Sequence, residues 1–96
     1  MKLTGKQRAK LRSMANTMQP IFIIGKDGLS PMITSELDLA LEARELIKVN
    51  VLETCEQSAA EIADMVAGRV HAEVIQVIGR KFVLYRESHT KKRIEI

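Results

Sequence analysis

Ile21-Phe22-Ile23-Ile24-Gly25-Lys26-Asp27-Gly28-Leu29-Ser30-Pro31 is the stretch on which the reading of this chain turns. Its four leading residues are apolar and rich in β-branched side chains, which suits a short buried strand. Ser30-Pro31 marks a helix start: the serine hydroxyl can accept from unpaired backbone N–H groups, and proline fits the first helical position. Between them, Gly25 and Gly28 allow backbone angles closed to other residues and let bare backbone approach a ligand. The N-terminus of a helix carries partial positive charge and unsatisfied donors, so it favours anions. With Lys26 at the loop tip, the segment reads as strand, phosphate grip and helix. A plain tight turn is the alternative that the loop alone leaves open.

On the N-terminal side, Thr4 to about Thr17 predicts a first helix, with Leu3, Leu11, Met14, Ala15 and Met18 on one side at 3.6-residue spacing. Lys2, Lys6 and Lys10 form a ridge on one flank, and Arg8 and Arg12 line the other. Pro20 stops the segment and forces Gln19 toward an extended backbone. On the C-terminal side, a second helix runs from about Pro31 to Glu45, burying Ile33, Leu37, Ala40 and Leu41. Glu36, Asp38, Glu42 and Glu45 fall on what reads as its solvated face. Leu46 to Leu52 predicts a second strand, and Ser58-Ala59-Ala60-Glu61 has the spacing of a capping box opening a third helix, with Gly68 as its left-handed stop. Glu73–Ile78 and Lys81–Arg86 are two further strands, joined by Gly79-Arg80 as a two-residue, glycine-first hairpin turn. A basic tail begins at about residue 88, and its last stretch, Lys91 to Ile96, is expected to fray.

The order α-β-α-β-α-β-β predicts an α/β fold: two β-α-β crossovers and a terminal hairpin make a four-stranded mixed sheet packed with helices. A chain of 96 residues makes this a single domain, 1–96. No apolar run approaches the roughly 20 residues of a membrane helix. Met1 to Lys6 leads into a charged segment rather than an apolar signal core, so a cytoplasmic location and no membrane partner are expected. The single cysteine, Cys55, excludes an internal disulfide.

The net charge of +3 is unevenly spread. Residues 1–29 and 67–96 are mainly basic and residues 30–66 mainly acidic, which implies one basic and one acidic face. Catalytic chemistry is thinly supplied. His71 and His89 lack metal-ligand spacing, one cysteine cannot build a zinc site, and the glycine loop is too short for a nucleotide P-loop. Nothing assembles a nucleophile with a base. No cofactor, no metal and no enzymatic activity are expected, an RNA-directed enzyme using Asp27 or Cys55 being the rival. Cys55 reads as a small buried side chain. A Gly-x-x-Gly loop before a helix is also the device by which KH domains clamp a single-stranded backbone, a comparison of loop physics only. Aromatic residues are scarce, and Phe22 and Phe82 lie in apolar strands, so a base-stacking aromatic sheet is not expected.

Gln19-Pro20, the following strand and Gly25-Lys26-Asp27-Gly28-Leu29-Ser30 resemble the signature of the CRM domain (chloroplast RNA splicing and ribosome maturation). Glu45-Leu46-Ile47-Lys48-Val49 and Gln76-Val77-Ile78-Gly79-Arg80 with Val83-Leu84-Tyr85-Arg86 resemble its other recurring blocks, and Leu3-Thr4-Gly5-Lys6-Gln7-Arg8 through Leu11 also fits. The likeness spans nearly the whole chain, and its length is similar to the stand-alone bacterial YhbY family. The resemblance implies a fold like the C-terminal domain of translation initiation factor three with an added N-terminal helix. It also implies an RNA-binding protein whose partner is large-subunit rRNA in pre-ribosomal particles; a monomer is expected, with dimerisation left open by the sequence. Gly25, Lys26, Asp27 and Gly28 would contact the RNA, with Lys6, Lys10, Arg80 and Lys81 extending the surface. Asp27 stands where the family often has asparagine; its charge would point away from phosphate or pair with a neighbouring lysine. A protein-interaction module, docking on ribosomal or maturation proteins through the acidic second helix, is the alternative function.

Overall fold

The computed structural model describes residues 2–96. Each helix begins where a short polar side chain can answer its first open donors. Helix α1 (Gly5–Ala15) starts with a reciprocal box: Thr4 Oγ1 accepts from Gln7 N at 3.1 Å, and Gln7 Oε1 accepts from Thr4 N at 2.9 Å. Helix α2 (Pro31–Arg44) starts as its sequence predicts, with Ser30 Oγ accepting from Ile33 N and proline in the first turn. Helix α3 (Ala59–Val70) carries the expected Ser58/Glu61 box, at 3.1 and 3.0 Å.

The strands are β1 (Phe22–Ile24), β2 (Leu46–Val51), β3 (Glu73–Ile78) and β4 (Lys81–Tyr85), in the spatial order β1-β2-β4-β3. β1 and β2 are parallel, and β4 is antiparallel to both β2 and β3. The predicted four-stranded mixed sheet therefore forms, with β4 slotted between the parallel strands β2 and β3. Gly79 has φ 58°, the positive value that a glycine-first hairpin turn requires, and Ile78 pairs with Lys81 across it.

Side-chain alternation gives the sheet two unequal faces. Ile24, Ile47, Val49, Val51, Phe82 and Leu84 point to one side and are buried under Leu37 and Leu41 of α2 and Ile62 and Val66 of α3. Leu46, Ile75, Val83 and Tyr85 point to the other, where Leu3, Leu11 and Ala15 cover them. α1 reaches across only part of that second face. Met14, expected in its apolar stripe, is exposed.

The end of α2 departs from expectation. The spacing of Glu45 predicts the solvated face, but the helix stops at Arg44 and Glu45 turns inward with φ 67°, fully buried. Its Oε1 accepts from Arg93 N at 2.6 Å and Ile94 N at 2.8 Å, and its Oε2 from Ser88 N at 2.6 Å. Burial alone would raise its pKa; the three amides, with the nearby Lys92 charge, outweigh it and hold the carboxyl below its usual range. Glu42 works one turn earlier, taking Ser88 Oγ at 2.5 Å, His89 N at 3.1 Å and Thr90 Oγ1 at 2.9 Å. Arg86, itself buried, joins Asp38 and donates to Glu42 Oε1 at 3.3 Å and Val70 O at 3.2 Å. The acidic face is thus largely occupied by the chain's own C-terminal segment. Where fraying is expected, the segment instead makes contacts along its length, with Ile94 and Ile96 packed against the α1-side core. Helix α3 likewise runs past Gly68 to bury Val70, and His71 takes the left-handed cap at φ 57°.

The clasp has a defined acid limit. The Ser88 hydroxyl, the His89 amide and Thr90 hold the Glu42 pKa down, from 4.5 to about 2. A depressed carboxylate stabilises the fold fully above pH 4.5 and loses that contribution as pH falls through about 2. Amide chemical shifts of Ser88, His89 and Thr90 are expected to hold their clasped values down through pH 4 and to change only toward pH 2. Release centred near pH 4.5 would contradict the clasp.

Candidate nucleic-acid interface

The glycine loop leaves β1 beside two other connections. Leu52 N donates to Ile24 O at 2.8 Å, and Val51 N donates to Arg80 O at 2.7 Å. The Gly25–Gly28 loop, the β2–α3 connection and the Gly79-Arg80 turn therefore share one end of the sheet. Ile24 and Arg80 lie two strand spacings apart, roughly 10 Å. Lys26, Arg80 and Lys81 are all exposed here. Arg80 Nε stands 3.7 Å from Glu53 Oε1, with side chains 52% and 83% exposed, a pairing that solvent leaves weak. Asp27 is exposed and, among the described residues, has no cation within 4 Å, so the lysine pairing considered for it does not form.

The two loop glycines serve different needs. Gly28 is buried at φ 67°, and a Cβ there would lie 3.0 Å from Gln57 Oε1. Glycine at 28 is thus demanded by its left-handed backbone, while the Gln57 side chain, flexible at its end, would have only to give way slightly. Gly25 has no such constraint: a Cβ would meet only Leu52 Cδ1, at 3.6 Å. Cys55, beside Gly28, is buried as expected, its Sγ 3.8 Å from Gln57 Oε1.

Lys6 and Lys10 are not brought to this end. Arg8 anchors α1 at the opposite end, donating to Glu73 Oε1 at 2.7 Å and Val74 O at 3.0 Å. Lys10 Nζ donates to Glu95 O at 2.6 Å, and Lys6 and Lys10 border a shallow cavity with Ile96. They form a separate basic patch beside the C-terminal segment.

Two further cations, Lys48 and Arg69, lie near these elements although no motif marks them as site residues. Lys48 was detectable, since Lys48, Asn50, Gln76 and Lys81 fall on one face of adjacent strands by alternation. Arg69 was not, because only the packing of α3 against α2 brings it to an open cavity with Leu29, Pro31 and Thr34 at the start of α2. Among the described residues, no group of three or more His, Cys, Asp or Glu could hold a metal ion, and no helix is long and apolar enough to cross a membrane.

This geometry sits within a known sequence pattern: the model of the CRS1/YhbY (CRM) domain matches residues 3–86. The chain belongs to that family. Its CRM relatives include "Probable RNA-binding protein YqeI" of Bacillus subtilis, 44% identical over 94 residues and covering 98% of both chains. A Haemophilus influenzae protein named "RNA-binding protein" is 32% identical over 90 residues, covering 94% of this chain and 91% of that one. The solution structure of SAV1595 from Staphylococcus aureus superposes with a TM-score of 0.81 at 44% identity, over 99% of each chain. The expected CRM fold is therefore the fold observed, and these relatives named for RNA binding cover nearly the full chain.

Proposed function

We propose that this CRM protein is a non-catalytic, monomeric, cytoplasmic RNA-binding protein that acts on precursor large ribosomal subunits through their rRNA. The observation that carries the reading is the gathering of the glycine loop, the start of α2 and the cations Lys26, Arg80 and Lys81 at one end of the sheet. Loop N–H groups other than that of Gly28, which donates to Gly25 O within the turn, and the open N–H groups of the first turn of α2 meet phosphate oxygens. Lys26, Arg80 and Lys81 release counterions from the RNA, with phosphate displacing Glu53 from Arg80. Asp27 projects into solvent, away from the phosphate. Lys6 and Lys10, on their separate patch, contribute long-range attraction rather than contact at the loop.

The acidic-helix alternative is disfavoured because Asp38, Glu42 and Glu45 are already engaged by Arg86 and the C-terminal segment. Affinity for single-stranded rRNA fragments, measured across salt concentrations, tests the RNA reading. Lys26→Ala is expected to weaken binding and flatten the log–log salt slope by roughly 0.7, one phosphate's share. An unchanged slope and affinity would remove Lys26 from the site.

A further inference from the structure

The half of the sheet that α1 leaves bare has a composition of its own. Strand register places Ile23, Asn50, Lys81 and Ile78 in one row across all four strands, and Lys48, Val83 and Gln76 in the next row of β2, β4 and β3. Ile23, on the edge strand β1, is 63% exposed and Ile78, at the end of the edge strand β3, is 60% exposed, so the row carries apolar surface at both edges of the sheet. Between the C-terminal end of α1 and these rows lies a cavity of about 190 Å³. Ile78 supplies its exposed apolar wall, Val83, almost wholly buried at the margin of the α1 core, closes its base, and Asn16, Gln76, Lys48 and Lys81 supply its polar rim.

The charge of this face is one-sided. Arg8, Arg80, Arg86 and Lys92 each have a carboxylate partner elsewhere. Among the described residues, no carboxylate lies within 4 Å of Lys48 or Lys81, and none borders the cavity. The β2–α3 side of the loop end carries Glu53 and Glu56 instead. A polyanion leaving the glycine loop is therefore drawn across Lys81 and Lys48, over the bare sheet.

We infer that this cavity receives an unpaired nucleobase of the RNA whose phosphates lie at the glycine loop, held between an apolar floor and two carboxamides. The inference rests on the RNA-binding reading above. A carboxamide offers a donor and an acceptor side by side, the arrangement that meets a base edge in pairs, adenine's N6 and N7 among them. Ile78, with the edge of Val83 beneath it, takes the ring face in place of an exposed aromatic platform. The lysines hold the flanking phosphates, so the site reads bases on a sheet without stacking them on rings.

Two probes separate base from backbone: a 12-nucleotide oligo(A) and an abasic ribose-phosphate chain of the same length. The wild-type protein is expected to bind oligo(A) at least tenfold more tightly. Gln76→Ala is expected to shrink that ratio below threefold while leaving affinity for the abasic chain unchanged. Asn16→Ala, at an exposed position outside the sheet, is expected to act in the same direction and guards against a folding defect in the strand variant. Equal binding of both probes by the wild type would overturn the base site and leave backbone recognition standing. Binding of neither probe would overturn both readings. Side-chain amide resonances of Asn16 and Gln76 that shift with protein concentration alone would assign the face to a second copy, and the proposal would fail.

Discussion

Glu45→Ala is expected to lower the melting temperature by roughly 15 °C, the largest stability effect of any single substitution considered for this chain. The carboxylate is fully buried and holds the amides of Ser88, Arg93 and Ile94. Truncation strands those donors, and each buried unsatisfied donor costs about 1–3 kcal/mol, reduced where water can enter. A net loss of about 3 kcal/mol follows, and in a domain of this size each kcal/mol moves the midpoint by roughly 4–8 °C. Glu45→Gln is expected to fall between wild type and alanine. Its carbonyl can keep the Arg93 and Ile94 amides on Oε1, while its NH2 group faces the Ser88 N–H, donor against donor. Thermal unfolding by circular dichroism checks the ranking. A shift below about 3 °C for alanine would mean that the three Glu45 hydrogen bonds contribute little, and that the Glu42 contacts and the packing of Ile94 and Ile96 hold the segment instead.

Replacing Lys26, Arg80 and Lys81 together with alanine is expected to cut RNA affinity on the order of 100-fold at 0.1 M salt. Each lost phosphate contact removes roughly 0.7 from the log–log slope, and at 0.1 M that corresponds to about fivefold per contact. The three side chains are exposed, so the folded state loses little with them. The matching salt slope should fall by about 2, and a titration on a single-stranded rRNA fragment reads both numbers at once. Lys6→Ala with Lys10→Ala serves as the comparison, since those cations sit at the far end of the molecule beside Ile96. If that pair costs as much as the triple change, the contact surface lies along α1 instead.

Local chemistry made most of the fold legible. Ser30-Pro31, the Ser58/Glu61 box and Gly79-Arg80 each fix an element boundary through groups within three residues of one another, and all three formed as read. The failures share a physical cause. Glu45 looked like a surface residue because its spacing matched the outer face of α2, and the amides that bury it come from residues 88–94. Gly68 looked like a stop because glycine usually is one, but Val70 had core to fill beyond it. The glycine loop and hairpin cations could be paired in advance only through the inferred sheet, whereas the distance of Lys6 and Lys10 from them depends on which end of the sheet α1 docks. Lys48 and Gln76 were readable from alternation, but their significance came from the part of the sheet that α1 leaves bare.

Sedimentation of tagged protein through a sucrose gradient, before and after RNase, tests most directly whether this end of the sheet ties the protein to ribosomal precursors. The wild-type protein is expected to travel with pre-large-subunit particles, and to return to the top after RNase or when Lys26, Arg80 and Lys81 are replaced. Wild-type protein remaining at the top in low salt, or a triple variant sedimenting with the particles as wild type does, would contradict the account.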